Sequence, residues 1–129
     1  PHRATVKTVD HGFERLAVHH VKALRVHGTL NAMFLPAVVR FNAQAESVQK
    51  ERRLERMAHA MGLASSTDIP EAIRDMNARL GLPTGLAAMG VTPDVFDDVI
   101  KGAMADHCHK TNPRVATPEQ YREMLHQSL

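Results

Sequence analysis

Several features that define large classes of proteins are scarce or missing in this sequence. A single cysteine excludes an internal disulfide framework and fits the reducing cytoplasm. Tryptophan is absent and aromatic residues make up only 4%, so packing must rely on small side chains and on seven methionines. No apolar run is long enough to span a membrane, and no secretory pattern opens the chain. We therefore expect a cytoplasmic protein that does not bind a membrane.

The charge balance argues against a nucleic-acid partner. Sixteen basic and fourteen acidic side chains leave a formal net charge of +2. That excess is too small to predict binding to a polyanion. Nine histidines are the more unusual feature, and they raise the question of a metal site.

The apolar residues of the sequence repeat mainly at the spacing of an α-helix. A length of 129 residues fits one domain with a sizeable core, and no segment alternates as a strand does. The pattern predicts an all-α bundle of five or six helices. The predicted helices cover about residues 10–25, 27–42, 42–62, 69–80 and 92–106, with a short final helix that begins at 117.

The segment over residues 27–42 is the expected centre of this bundle. It opens with His27-Gly28, and Thr29 is its predicted N-cap. Apolar residues at helical spacing cover most of its circumference, so other helices should bury it. Pro36 predicts a kink, because proline removes one backbone hydrogen bond. At the other end of the chain, Thr117-Pro118-Glu119-Gln120 predicts a capping box.

Two sets of motifs resemble the iron-dependent (group III) alcohol dehydrogenases. The first set is His27-Gly28-Thr29-Leu30-Asn31-Ala32, Leu35-Pro36 and Arg40-Phe41-Asn42. The second set is Gly81-Leu82-Pro83, Gly90-Val91, Asp106, Cys108, Thr111-Asn112-Pro113-Arg114 and Thr117-Pro118-Glu119. Their order and spacing agree with that family from His27 to Leu129.

The resemblance implies an all-helical C-terminal domain that shares a divalent iron, or sometimes zinc, with a nucleotide-binding domain. In that family NAD(P) exchanges a hydride while the metal polarises the alcohol or carbonyl oxygen. The ligands are an Asp and a His four residues apart, followed by two further His. His27 matches the last ligand, and His11 matches the first His. Both are predicted here as inherited metal positions.

The sequence also departs from the family pattern. Lys7 lies where the Asp ligand is expected, and Phe13 where an ungapped alignment places the third ligand. His19 and His20 do not have the spacing that would replace it. The glycine-rich phosphate-binding turn of the nucleotide-binding domain is absent from these 129 residues. The chain therefore resembles a shortened, single C-terminal domain without the nucleotide-binding domain.

Two histidine positions admit alternative interpretations. His27 is either a metal ligand or the partner of a backbone carbonyl beside Gly28. For His107-Cys108-His109, adjacent side chains should diverge, which disfavours a chelate and favours a helix C-terminus with a buried thiol. Asp106 and Cys108 also match a region that lies beside the substrate cleft in the family.

The resulting hypothesis is a domain related to NAD(P)-linked alcohol oxidoreductases that is inactive as an isolated chain. No catalytic residue can be assigned, and we expect neither iron nor NAD(P) to bind this chain alone. The missing nucleotide-binding domain is one expected partner. The alternative is a non-catalytic helical module that self-associates as a homodimer through exposed apolar surface.

Overall fold

The computed structural model describes residues 27–129, and these residues contain α-helices, short 3-10 turns and no strand. This confirms the predicted all-α class. Six helical segments lie in the described part of the chain. They are α1 (residues 27–42), α2 (Glu46–Lys50), α3 (Arg53–Ala60), α4 (Ile69–Arg79), α5 (Phe96–Ala105) and α6 (Pro118–Gln127). The 3-10 turns are Ser66–Asp68, Ala87–Met89, Pro93–Val95 and His107–Thr111.

The chain divides into two compact units, Pro1–Asn31 and Ala32–Leu129. Each unit is considered separately below. The helix predicted over residues 10–25 lies outside the described residues, as do Lys7, His11, Phe13, His19 and His20. The helical state already holds at His27, so Thr29 lies inside α1 and the prediction that it caps the start was wrong.

The part of α1 in the second unit packs against other helices on two sides. Ala37 and Phe41 form one buried cluster with Ala116 and Met124. Val39 belongs to a second cluster, whose other members are Ala58, Ile69 and Ile73. This confirms that the apolar segment is a core helix around which the other elements pack.

The single helix predicted over residues 42–62 is wrong, because the chain breaks between α2 and α3. Arg52 adopts a left-handed conformation with φ 49°, and α3 starts directly after it. Val48 before the break and Ala58 after it are both buried, with exposures of 6% and 3%.

The inner face of α4 also differs from its apolar pattern. Ile69 and Ile73 are buried, but Met76 and Leu80 are 42% and 67% exposed. The buried row continues instead through Asn77, whose side-chain amide donates a hydrogen bond to the Ala32 carbonyl at 2.9 Å. That bond satisfies a polar group that apolar periodicity would place outside.

The buried face of α5 is narrower than the apolar pattern of its sequence. Phe96 and Ile100 are buried, whereas Val95, Val99 and Met104 are at least 36% exposed. Because two buried residues one turn apart anchor the helix, a large part of its apolar surface remains open to solvent.

The start of α6 agrees with the sequence. The Thr117 hydroxyl accepts from the Gln120 backbone N–H at 3.3 Å, and the Gln120 side chain accepts from the Thr117 N–H at 2.9 Å. The predicted capping box is therefore confirmed. The end of this helix meets the loop at Gly85, where a Cβ would overlap the backbone of Leu129. Among the described residues, no helix is both long and apolar enough to cross a membrane.

Candidate functional site

His27, the predicted metal ligand, presents an exposed imidazole on α1. Its Nε2 lies 3.3 Å from the Asn31 side-chain nitrogen, one helical turn later. This partner is a side chain, whereas the sequence suggested a backbone carbonyl. The ligand assignments of His27 and of His11 remain predictions, and His11 lies outside the described residues.

Asn42 and Asn112 join the two sets of motifs that carried the family resemblance. The Asn42 amide donates to Asn112 Oδ1 at 3.1 Å, and the Asn112 amide donates to Asn42 Oδ1 at 2.7 Å. The Asn112 amide also donates to the Arg114 carbonyl at 2.6 Å. Both side chains are part-buried, so this reciprocal pair fixes the end of α1 to a loop that is seventy positions later.

Arg114 adds a second connection between the same two segments. Its guanidinium carbon lies 4.1 Å from the centroid of the Phe41 ring, a cation–π distance. One guanidinium nitrogen also donates to the Phe41 carbonyl at 3.2 Å. We refer to Phe41, Asn42, Asn112 and Arg114 together as the clamp. All four residues belong to the family motifs, but nothing in the sequence predicted that they contact one another.

The 3-10 turn His107–Thr111 follows α5 and contains the Cys108 cluster. Asp106 Oδ1 accepts from the Cys108 backbone N–H at 2.7 Å, and the Thr111 hydroxyl donates to the Cys108 carbonyl at 3.0 Å. Cys108 is exposed, so the prediction of a buried thiol was wrong. Sequence periodicity does not predict the exposure of a residue in a turn.

The three side chains Asp106, His107 and Cys108 converge, contrary to the divergence expected for adjacent residues. One ligand atom from each lies within 4.8 Å of the other two. His107 Nε2 is 3.4 Å from Cys108 Sγ, and His107 Nδ1 is 3.6 Å from Asp106 Oδ1. His109 does diverge, as predicted, and its Nδ1 pairs with the Tyr121 hydroxyl at 2.9 Å.

Electrostatics in this turn follow from the Asp106 carboxylate. The Cys108 backbone N–H lowers the pKa of Asp106, because its hydrogen bond stabilises the ionised form. The hydrogen bond and the negative charge of Asp106 together raise the pKa of Cys108. Burial raises the pKa of Tyr121. The Cys108 thiol is therefore less ionised at neutral pH than an ordinary cysteine.

The described residues do not make up a complete metal site around His27. A catalytic divalent ion takes about three protein ligands. In residues 27–129, the one group of at least three candidate ligands is Asp106, His107 and Cys108, and His27 is not part of it.

Comparison with known proteins agrees with the motif resemblance. The sequence pattern of the Fe-containing alcohol dehydrogenase family, C-terminal, matches residues 17–129. The chain belongs to this family. The match covers both sets of motifs and the clamp that joins them, so the family assignment rests on most of the described fold.

Curated relatives show the same family with different named activities. A 4-hydroxybutyrate dehydrogenase of Cupriavidus necator is 57% identical over 103 residues, which are 80% of this chain and 27% of that protein. Alcohol dehydrogenase 4 of Saccharomyces cerevisiae (strain ATCC 204508 / S288c) is 37% identical over 73% of this chain and 25% of its own length. Lactaldehyde reductase of Escherichia coli (strain K12) is 32% identical over 78% of this chain and 27% of its own length.

The chain thus spans about a quarter of the length of the curated relatives it matches. No solved structure matches it.

Proposed function

We propose that this chain is the helical, metal-binding-type part of an NAD(P)-linked alcohol dehydrogenase. The reaction of the whole enzyme would interconvert an alcohol and its carbonyl compound. The observation that carries this proposal is the family match over residues 17–129, supported by 57% identity to a 4-hydroxybutyrate dehydrogenase. By the resemblance, His27 would be one ligand of the metal that such an enzyme uses.

Alone, the 129-residue chain would be catalytically inactive. Two observations support this part of the proposal. The described residues supply His27 without companion ligands from residues 27–129, and the glycine-rich turn that binds the cofactor phosphates is absent from the sequence. Activity would therefore need a nucleotide-binding domain and further ligands from elsewhere.

Metal analysis of the purified chain tests the incomplete iron site. We expect iron well below one ion per chain after loading with Fe²⁺ and removal of excess metal, and no difference between wild type and His27→Gln. His59→Gln, which changes another exposed histidine, is the matched control. One tightly held iron per wild-type chain, lost selectively in His27→Gln, would contradict the proposal.

Self-association is the second candidate function, and an apolar groove supports it. Phe34 and Val38 of α1, Val99 and Ala103 of α5, and Tyr121 of α6 surround a cavity of about 200 Å³ together with neighbouring residues. Val99 is 43% exposed at this groove. Apolar surface of this kind is covered in many proteins by a partner, and we propose a second copy of the chain as the occupant.

Light scattering distinguishes this candidate from a monomeric domain. We expect a dimer at high concentration that dissociates in Val99→Gln, because the polar amide opposes burial of the groove. Lys101→Gln, an exposed change on the same helix away from the groove, should leave the dimer intact. A wild-type chain that remains monomeric at high concentration would exclude self-association as its function.

A further inference from the structure

A carboxylate oxygen, an imidazole nitrogen and a thiol sulfur meet in the turn after α5. The ligand atoms of Asp106, His107 and Cys108 all lie within 4.8 Å of one another. In a tetrahedral zinc site, bond lengths of about 2.0–2.3 Å place neighbouring ligand atoms roughly 3.4–3.6 Å apart. The separation of 3.4 Å between His107 Nε2 and Cys108 Sγ lies in this range.

We propose that Asp106, His107 and Cys108 bind a zinc-type divalent ion, with no ligand from His27. Sulfur, nitrogen and oxygen donors together suit Zn²⁺, whereas Mg²⁺ and Ca²⁺ prefer oxygen ligands alone. Three protein ligands leave one tetrahedral position for water. This proposal is independent of the proposed dehydrogenase function.

Hydrogen bonds within the turn position two of the three ligand residues. The Cys108 N–H bonds to Asp106 Oδ1 at 2.7 Å, which fixes the carboxylate over the first residues of the turn. The Thr111 hydroxyl bonds to the Cys108 carbonyl at 3.0 Å and fixes the residue that carries the thiol. Ligands that are held in this way lose less conformational freedom on binding than ligands on an unstructured chain.

Solvent access also favours an ion at this position. The His107 and Asp106 side chains are 91% and 54% exposed, so an ion and its water can enter without disturbing the core. Binding would break the Cys108 S–H bond and form a sulfur–metal bond, and the proton would leave to solvent. His109 takes no part, because it is paired with Tyr121 at 2.9 Å.

Cobalt and zinc titrations test the site in the full chain. Wild type should bind one Co²⁺ with the thiolate-to-cobalt charge-transfer band, and should compete for Zn²⁺ with a chromophoric chelator. Cys108→Ser should abolish the band. His107→Gln and Asp106→Asn should weaken zinc binding at least roughly tenfold, since even groups that only support metal ligands contribute that much.

Matched controls separate this site from other histidines. His59→Gln and His27→Gln should bind Zn²⁺ with wild-type affinity, because neither residue belongs to the cluster. All the changed side chains are exposed, and circular dichroism would verify that every variant is folded. Absence of the thiolate band in wild type, or binding that is lost in His27→Gln but retained in Cys108→Ser, would overturn the proposal.

Discussion

The clamp and the turn at Cys108 are built in opposite ways. The clamp joins α1 to a loop through part-buried contacts between residues seventy or more positions apart. The turn is exposed, and the bonds around Cys108 connect residues at most three positions apart. Long-range contacts of the first kind hold the fold together, whereas local bonds of the second kind position exposed side chains without adding much to stability.

Phe41→Ala should cause the largest loss of unfolding free energy among the changes that test this difference. The change removes a buried ring from the cluster with Ala37 and Met124 and also removes the surface on which Arg114 stacks. Loss of a buried phenylalanine costs about 3–5 kcal/mol of unfolding free energy. Denaturant unfolding measures it, with His107→Ala as the exposed control that should leave the midpoint unchanged. A cost below about 1 kcal/mol would mean that the clamp does not hold the fold.

Asn112→Ala should have the next largest effect, because it leaves the part-buried Asn42 amide without its partner. An unsatisfied polar group of this kind costs about 1–3 kcal/mol. The double variant Asn42→Ala/Asn112→Ala should then cost less than the sum of the single variants, with a coupling of roughly 0.5–3 kcal/mol. Additive costs would show that the two amides act independently.

Asp106→Asn should have the smallest effect on stability but a clear effect on the reactivity of the Cys108 thiol. The carboxylate raises the pKa of Cys108, so its removal should lower that pKa and increase the thiolate fraction at neutral pH. Iodoacetamide in chelator-treated buffer should therefore alkylate Cys108 faster in the variant, with the pH–rate curve displaced to lower pH. An unchanged pH–rate curve would show that Asp106 does not raise the pKa of Cys108.

The sequence predicted the features of this fold that depend on local chemistry. The capping box at Thr117 was predictable because its two bonds join residues three positions apart. The buried face of α1 was predictable because its apolar residues repeat at the helical period. Both features are encoded within a few turns of the chain.

Other features depend on contacts that local periodicity does not encode. The break at Arg52 lies in a segment whose residues favour a continuous helix, so local helix propensity does not predict it. Cys108 was expected to be buried by its residue type, but it is exposed. For the candidate site, the motifs identified Asp106 and Cys108, whereas their convergence with His107 required the structure.

Hydride transfer by the purified 129-residue chain tests the proposed function most directly. The assay supplies Fe²⁺, either NAD or NADP, and a series of short-chain alcohols and hydroxy acids, and follows the absorbance of the reduced nicotinamide. We predict a rate equal to that of the protein-free blank for every substrate. Saturable turnover that is lost in His27→Gln would contradict the account, because it would show a complete metal and cofactor site within this chain.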